Sequence, residues 1–262
     1  MITIGINGAT GRMGLSLIRL IAESDDLELV AAIERPDHPR IGEDIGIITG
    51  MATKGIGIDL ASQLDKEVNV VIDFSTPSAT MNILKSCLKY KSALLIGTTG
   101  LSKQQINRIR SAGKKISCLI SPNMSLGANM MFKVAPEIAA ILGANYDIEI
   151  VETHHRFKKD APSGTAIRLA ESITDPPDRM SGRAGKSGKK IPIHSLRVGD
   201  VVGDHSVIFS TLGERIELIH RVHTREIFSR GALYAARFLA KSKPGLYTML
   251  DMIKMRNKIL DK

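Results

Sequence analysis

Short apolar segments alternate with amphipathic ones along the first 120 residues of the chain. Each apolar run has the length of a strand, and each amphipathic segment repeats its apolar positions with helical spacing. Because several of the strands are apolar throughout, the pattern predicts an α/β fold with a parallel sheet covered by helices on both faces. The predicted strands are 2–7, 27–33, 68–74, 93–97 and 116–120, and the predicted helices are 12–22, 78–90 and one that Ser102 and Gln105 begin as a capping box and that ends near Gly113.

The pattern changes after residue 125 and predicts a second, mixed α+β domain. Gly199-Asp200 and Gly213-Glu214 separate three β-rich segments, which we expect to be adjacent, hairpin-like strands. The predicted elements are helix 126–142, strand 147–153, a helix that starts near Ser163, strands 191–198, 205–212 and 215–222, and helices 226–241 and 246–258.

A glycine-rich turn follows the first predicted strand. Its sequence, Gly8-Ala-Thr-Gly-Arg-Met-Gly14, has GxxGxxG spacing and leads into a helix. Glycines permit a tight turn and a close approach of the backbone to a pyrophosphate, whose charge the helix N-terminus stabilises. Alone the motif also fits a simple tight turn, but its place in a βαβ unit favours a Rossmann-type dinucleotide site. The residues expected to bind the cofactor here are Gly8, Ala9, Thr10, Gly11, Arg12 and Met13.

An acidic residue stands at the end of the second strand. Glu34 comes 20 residues after Gly14, where a carboxylate can accept hydrogen bonds from the adenosine ribose. Arg35 beside it, and Arg12 in the turn, could hold a 2′-phosphate with a guanidinium fork. We therefore expect Glu34 and Arg35 to contact the cofactor, and both NADH and NADPH to be usable. Without the glycine turn the pair would be an ordinary solvated strand end.

Two later strand ends carry small polar residues where parallel sheets bind their ligands. Either segment alone fits a structural turn equally well. Together with Phe74-Ser-Thr-Pro77 on an intervening strand, they favour a cofactor crevice. The residues expected to bind cofactor there are Gly97, Thr98, Thr99, Ser121, Pro122, Asn123 and Met124.

Imidazole and charged side chains are concentrated in one connection. The segment reads Glu152-Thr-His-His-Arg-Phe-Lys-Lys-Asp-Ala-Pro-Ser-Gly-Thr165 and joins a predicted strand to a helix. Adjacent histidines on an extended chain point to opposite sides, so His154 and His155 should have different roles. A histidine can donate a proton near neutral pH, a lysine supplies a cation, and a Gly-Thr helix start can hold a carboxylate. The alternative is a basic surface loop, although functional residues concentrate on such loops.

The chemistry of this connection suits a small dicarboxylic, imine-type substrate that is protonated as hydride arrives. A metal site fits poorly, because no third convergent ligand is visible. The non-enzymatic alternative is a dinucleotide-sensing regulator that binds DNA through the net charge of +9, but Lys and Arg are scattered, Trp is absent and no reading helix is recognisable. That alternative also assigns nothing to the histidine-rich segment, so we expect no nucleic-acid partner.

The remaining composition indicates a cytoplasmic protein. Cys87 and Cys118 lie in apolar runs without CxxC spacing, which predicts buried free thiols and a reducing compartment. No signal-peptide pattern and no apolar run of membrane-spanning length occurs, so no membrane partner is expected. The basic, glycine-containing segment Arg183–Lys190 is expected to be a surface loop.

The chain resembles the 4-hydroxy-tetrahydrodipicolinate reductase (dihydrodipicolinate reductase) family over essentially its whole length. The segment His-His-Arg-x-Lys-x-Asp-Ala-Pro-Ser-Gly-Thr is the most specific part of the match. The other matching segments are Gly8–Gly14, Gly97–Gly100, Ser121–Ser125 and Arg197–His205.

The resemblance implies a function and an organisation that the residues alone leave open. It implies NAD(P)H-dependent reduction of 4-hydroxy-tetrahydrodipicolinate in the diaminopimelate route to lysine. It also implies a dinucleotide-binding domain formed by residues 1–125 and 235–262, and a domain of residues 126–234 that binds substrate and assembles a homotetramer.

The resemblance also implies roles for single residues. His154 occupies the place of the family's acid/base residue and Lys158 that of its proton donor. His155 contacts the substrate, and Gly164 with Thr165 holds a substrate carboxylate.

Two departures from the family pattern are visible: Phe157 stands where a histidine is frequent, and the segment 174–190 is short. Another two-domain amino-acid or imino-acid dehydrogenase remains the alternative enzyme, because a fold does not determine a function.

Overall fold

The computed structural model describes residues 1–51, 55–174 and 190–260, with side chains described as far as residue 255. The chain forms two compact units: Met1–Met124 with Phe228–Lys262, and Ser125–Ile227. Of the basic segment Arg183–Lys190, all but Lys190 lies outside the described residues. Within the described ranges, no helix combines the length and apolar character needed to cross a membrane.

Strands and helices alternate along most of the described chain. In chain order they are β1 Ile2–Asn7, α1 Arg12–Ala22, β2 Leu27–Ile33, α2 Ile45–Thr49, β3 Leu60–Ala61, β4 Val70–Asp73, α3 Pro77–Tyr90, β5 Ala93–Ile96, α4 Lys103–Ala112, β6 Ser117–Ile120, α5 Leu126–Leu142, β7 Asp147–His154, α6 Gly164–Thr174, β8 Ile193–Arg197, β9 Gly203–Thr211, β10 Glu214–Val222, α7 Glu226–Leu239, β11 Gly245–Tyr247 and α8 Met249–Leu260.

The first unit is built on a seven-stranded sheet in the order β11-β6-β5-β4-β1-β2-β3. Every pair of neighbouring strands in it is parallel. The central strands β4 and β5 are buried along their whole length, which explains why all their residues except Asp73, at the end of β4, are apolar. The Rossmann-type parallel sheet that the sequence predicts is therefore confirmed.

Helix ends in the first unit follow the sequence signals. Ser102 accepts from the backbone N–H of Gln105, and the Gln105 side chain accepts from the backbone N–H of Ser102. This capping box confirms the predicted start of α4. Cys87 and Cys118 are buried free thiols, as predicted, and burial raises the pKa of Cys118 to about 12.

The second unit is a four-stranded sheet in the order β10-β9-β7-β8, with helices α5 and α6 on one face. Ile150, Val207 and Phe209 are fully buried between the sheet and these helices. Ala135 on α5 and Leu169 on α6 pack against them, so the apolar stripes of both helices cover the same face of the sheet.

One predicted strand pairing in this unit is wrong. We expected β8 and β9 to form a hairpin around Gly199-Asp200, but β8 pairs in parallel with β7, while β9 pairs antiparallel with the other edge of β7. The backbone N–H groups of Val198 and Arg156 extend the β7–β8 contact by bonding to His154 and Gly199 carbonyls. Pairing both edges of the buried β7 satisfies more backbone groups than a local hairpin would. The hairpin around Gly213, between β9 and β10, is confirmed.

The end of the chain also differs from the prediction. Helix 246–258 was expected, but residues Gly245–Tyr247 form β11, which pairs in parallel with β6, and α8 begins only at Met249. A three-residue edge strand has too short a pattern to predict, and its pairing with β6 depends on a neighbour far away in the sequence. The short elements α2 and β3 were likewise not predicted.

The burial of Phe209 should make it a major contributor to the stability of the second unit. Phe209→Ala is expected to lower the free energy of unfolding by about 3 to 5 kcal/mol, because it removes a fully buried ring and leaves a cavity. Chemical denaturation followed by circular dichroism measures this. The matched control is Ile141→Ala on α5, where the side chain is 84% exposed and the cost should stay below about 0.5 kcal/mol. Equal losses in the two variants would contradict the proposed core.

Candidate active site

The glycine turn after β1 has a backbone that only glycine fits at two positions. Gly8 has φ +83°, and a Cβ there would lie 2.5 Å from the carbonyl oxygen of Phe74. A Cβ on Gly14 would lie 2.3 Å from the carbonyl oxygen of Gly8, so α1 starts in direct contact with the turn. Gly11, the N-cap of α1, has no side-chain hydrogen bond to the first helical turn. The turn thus has the shape and the uncapped helix start that suit a pyrophosphate.

The acidic residue expected to contact the cofactor lies at the turn. Glu34 follows β2, and its Oε2 accepts from the Thr10 hydroxyl at 2.7 Å and from the Thr10 backbone N–H at 3.4 Å. The exposed Arg35 pairs with Asp37, with 3.5 Å between the charged atoms. The structure therefore brings Glu34 to the glycine turn, which is the arrangement that recognition of a ribose hydroxyl requires.

The centre of the parallel sheet contains a buried carboxyl group that the sequence reasoning missed. Asp73, the last residue of β4, accepts hydrogen bonds from Asn7 on β1 and from Ser75, Thr80 and Thr98. Burial raises the pKa of Asp73, and the four neutral donors oppose this rise. Asp73 therefore joins the carboxyl ends of β1, β4 and β5. The signal that could have identified it is an acidic residue ending an otherwise apolar strand.

The segment after β5 takes part in the hydrogen bonds of Asp73, and the segment after β6 forms a turn of its own. Thr98 donates to Asp73 and accepts from the backbone N–H of Ser75. Gly97 lies against the ring of Phe74, where a Cβ would come within 2.2 Å of a ring carbon. After β6, the Ser121 hydroxyl donates to the backbone carbonyl of Asn123 at 2.7 Å. The carboxyl ends of β4, β5 and β6 therefore lie side by side at one edge of the sheet, with small residues beside them.

In the second unit, β7 ends at a buried imidazole. His154 donates from Nδ1 to Oε2 of Glu152, two residues earlier on the same strand. Arg197 on β8 donates through both terminal nitrogens to the two oxygens of Glu152, at 2.9 Å each. Burial alone would raise the pKa of Glu152, but the hydrogen bonds from Arg197, Ser195 and His154 outweigh it and lower the pKa to about 2. Glu152 is therefore an ionised group with a side chain that has no solvent exposure.

A second buried imidazole packs against the first. The rings of His154 and His205 meet edge to face, with their centroids 5.2 Å apart. His205 Nε2 lies 3.1 Å from the hydroxyl of Ser163, which also accepts from the backbone N–H of Ala166 and so caps α6. Burial, and after it the neighbouring His154, lowers the pKa of His205 to about 4. Burial also lowers the pKa of His154, against the opposing effect of Glu152.

The other residues of the connection between β7 and α6 each have their own contacts. His155 points away from His154 and meets Arg225, whose Nη2 lies 3.2 Å from its Nε2, so the two histidines have different partners as predicted. Lys158 pairs with Asp160 at 2.8 Å. Gly164 is the first residue of α6, directly after the capping residue Ser163.

The structure therefore brings His154, Lys158 and the start of α6 into one connection of the second unit. Sequence reasoning missed Arg197, His205 and Arg225 as neighbours of this connection. Only the match of Arg197–His205 to the family pattern hinted at the first two. Within the described part of the chain, no cluster of three or more His, Cys, Asp or Glu could hold a metal ion.

A parallel-sheet unit with a glycine turn of this shape, joined in one chain to a unit with a buried imidazole–carboxylate–guanidinium cluster, is typical of nicotinamide-dependent oxidoreductases. Comparison with known families gives the particular one. The model described as "Dihydrodipicolinate reductase, N-terminus" matches residues 2–124, and "Dihydrodipicolinate reductase, C-terminus" matches residues 127–253. The chain belongs to the dihydrodipicolinate reductase family.

Individual relatives extend the match over the whole chain. The chain is 40% identical to 4-hydroxy-tetrahydrodipicolinate reductase from Syntrophus aciditrophicus (strain SB), covering 96% of this chain and 98% of the relative. It is 43% identical to the enzyme of that name from Methanococcus maripaludis, covering 97% and 100%. Among solved structures it is similar to a dipicolinate-bound dihydrodipicolinate reductase from Paenisporosarcina sp. TG-14, with a TM-score of 0.74, 26% identity and coverage of 95% and 97%.

The depressed pKa of His205 predicts a pH dependence of stability. In the unfolded chain His205 takes up a proton near pH 6.5, whereas in the fold it does so only near pH 4. The unfolded state therefore binds more protons between these values, and stability is lost as the pH falls through them. The expected contribution is about 3 kcal/mol.

His205→Gln should flatten the fall in the free energy of unfolding between pH 7 and pH 4, because glutamine keeps a hydrogen-bonding group but does not titrate. Urea denaturation at a series of pH values measures the slope. His223→Gln, at an exposed histidine, is the control and should leave the wild-type slope in place. A His205→Gln protein with the wild-type slope would rule out this interpretation.

Proposed function

We propose that this chain reduces 4-hydroxy-tetrahydrodipicolinate to tetrahydrodipicolinate with NADH or NADPH, in the diaminopimelate route to lysine. Family membership and near-full-length relatives of that name support the activity. The observation that carries the chemistry is the buried His154–Glu152–Arg197 cluster at the end of β7, in the same connection as Lys158 and the start of α6. The similar solved structure from Paenisporosarcina sp. TG-14 is described as dipicolinate-bound. A small aromatic dicarboxylate is the type of molecule that these groups suit.

The residues of the connection then take the following roles. His154 acts as the acid/base residue, and Lys158 donates the proton that accompanies hydride transfer. His155 contacts the substrate. The backbone N–H groups at the start of α6, with Gly164 and Thr165, hold a substrate carboxylate, because a helix N-terminus favours an anion.

The dinucleotide is held by the first unit. When bound, it supplies the hydride from C4 of its nicotinamide. Gly14 and Gly8 let the turn approach the pyrophosphate, and Glu34 accepts from the ribose. The neighbouring guanidinium groups, Arg12 and Arg35, suit a 2′-phosphate. The other residues proposed to contact the cofactor are Ala9, Thr10, Gly11, Met13, Gly97, Thr98, Thr99, Ser121, Pro122, Asn123 and Met124.

We assign the first unit, residues 1–124 and 228–262, to the dinucleotide domain and the second, residues 125–227, to the substrate and tetramerisation domain, so the boundary expected at 235 moves to 228. Buried free thiols at Cys87 and Cys118 support a reducing, cytoplasmic location. Another two-domain dehydrogenase of the same fold is disfavoured. The chain is only 10% identical to an amine dehydrogenase from Mycobacterium smegmatis, and their TM-score of 0.60 shows a shared fold alone.

The activity is tested by the loss of NADH or NADPH absorbance when purified protein meets the freshly made condensation product of pyruvate and aspartate semialdehyde. His154→Gln and Lys158→Ala should each lower kcat by about a hundredfold or more, because each removes a proton-transfer group. Cofactor affinity, measured by calorimetry, should stay at the wild-type value in both.

Lys159→Ala is the matched control, since Lys159 is an exposed lysine next to Lys158 and should be dispensable for turnover. A wild-type protein that oxidises neither cofactor would overturn the proposed activity. Normal turnover in both His154→Gln and Lys158→Ala would overturn the assigned roles instead.

A homotetramer is supported by the uncovered face of the four-stranded sheet. Strand register places Val151, Leu196, Ile208 and Ile219 on the face opposite α5 and α6. Leu196 is 48% and Ile219 42% exposed, which is unusual for aliphatic side chains on a sheet. A second sheet of the same kind would bury them, and homo-oligomer interfaces are more apolar than ordinary surface.

Ile219→Asp should therefore dissociate the tetramer into smaller species, because it places charges on the sheet face that the proposed interface would bury. Light scattering coupled to size-exclusion chromatography gives the mass of each species. Ile141→Asp on α5 is the control, since it adds the same charge at an 84% exposed site outside this face and should leave the mass unchanged. A monomeric wild-type protein would contradict the tetramer.

A further inference from the structure

Glu152 uses the full hydrogen-bonding capacity of its carboxylate. Arg197 donates one bond to each oxygen at 2.9 Å, Nδ1 of His154 donates to Oε2, and the backbone N–H of Ser163 donates to Oε1 at 3.2 Å. Ser195 on β8 also donates to this carboxylate, so all of its roughly four acceptor positions are occupied. Arg197 is itself held by the backbone carbonyl of Asp160, which accepts from Nη2 at 2.6 Å. The carboxylate therefore has one rotamer and one set of partners.

This arrangement determines which ring nitrogen of His154 carries the proton in the neutral form. An ionised carboxylate can only accept, so the Nδ1 atom facing Glu152 must be protonated. The Nε2 atom is then the nitrogen with the free lone pair. Nε2 lies against Gly203, where a Cβ would come within 3.0 Å, so any side chain at position 203 would crowd the ring.

We propose that Glu152 and Arg197 form a positioning pair for His154, in which the carboxylate fixes the Nδ1–H tautomer and the guanidinium fork keeps that carboxylate ionised and in place. The functional consequence rests on the proposed role of His154 in proton transfer. With Nδ1 occupied, Nε2 is the atom through which His154 exchanges protons. Glu152 and Arg197 do not touch the substrate in this scheme and act only through His154.

A purely structural ion pair is the competing explanation, and the separation takes two readouts, the pKa of His154 and the kinetics of the same variants. The titratable or charged groups that face His154 are Glu152 on its own strand, Arg197 on β8, His205 on β9 and Lys158 in the following connection. Glu152 is the anion among them. Neutralising Glu152 should therefore lower the pKa of His154, whereas neutralising Arg197 should raise it. Opposite shifts show that both charges act on His154, and a pair that only stabilised the sheet would leave the pH dependence of kcat uncoupled from the His154 midpoint.

The experiment is an NMR pH titration of protein labelled with ¹⁵N in its histidines, which reports both the tautomer and the pKa of His154 without requiring turnover. Wild-type protein should show Nδ1–H and an unprotonated Nε2. Glu152→Gln should lower the titration midpoint of His154 by about one pH unit or more, and Arg197→Met should raise it. Arg197→Lys keeps the charge but not the fork, and its midpoint should lie between those of Arg197→Met and the wild type.

Kinetics provide a second readout of the same variants. Glu152→Gln should lower kcat at least tenfold with little change in KM, and the pH dependence of kcat should move in the direction of the His154 midpoint. If Glu152→Gln does not fold, the double variant Glu152→Gln/Arg197→Met removes both charges together, which a buried pair tolerates better than the loss of one partner. The double variant should show mixed His154 tautomers.

Glu149→Gln is the matched control. Glu149 lies on β7 and pairs with His194 on β8 at 2.5 Å, so it offers the same carboxylate–imidazole contact on the same two strands but at an exposed position. It should leave the His154 titration at its wild-type midpoint.

Shifts of the same sign in Glu152→Gln and Arg197→Met, or an unchanged Nδ1–H tautomer in the double variant, would overturn the positioning role. Normal turnover in His154→Gln would instead overturn the proposed role of His154 in proton transfer, and would leave the tautomer result intact.

Discussion

Each unit of this protein is organised around a carboxyl group that is buried at the end of a strand. A buried carboxylate is costly unless donors or a cation compensate it, so its neighbours must take a defined arrangement. Glu152 meets this requirement with Arg197, His154 and the start of α6, and thereby joins β7, β8 and the connection to α6. The geometry of the candidate active site follows from the hydrogen bonds that compensate the buried charge of Glu152.

Asp73 solves the same problem differently in the first unit. Its partners are the neutral side chains Asn7, Ser75, Thr80 and Thr98, with no cation among them, and burial raises its pKa. At Glu152 the Arg197 fork lowers the pKa instead. Neutral donors suit a group that holds three strand ends together. A permanent anion suits a group that must orient a neighbouring imidazole.

Much of the fold follows from local patterns. The βαβ start, the capping box at Ser102 and the long helix α5 were predictable because strand and helix periodicity and helix caps are properties of neighbouring residues. The position of β8 beside β7 was not predictable, since local turn residues favoured a hairpin with β9. The edge strand β11 also escaped prediction, because three residues carry no periodicity and their only partner is β6.

The sequence by itself predicted the class of both sites. The glycine spacing and the acidic residue after the second strand predict a dinucleotide site, and the histidine-rich connection predicts proton transfer. Only the tertiary structure decided which charges meet. Arg197 lies 45 residues from Glu152 along the chain and His205 lies 42 residues from Ser163, and these pairs form because β8 and β9 occupy opposite edges of β7. The physical reason is that side-chain type and spacing are local properties, whereas burial, pKa and hydrogen-bond partners depend on the order of strands in a sheet.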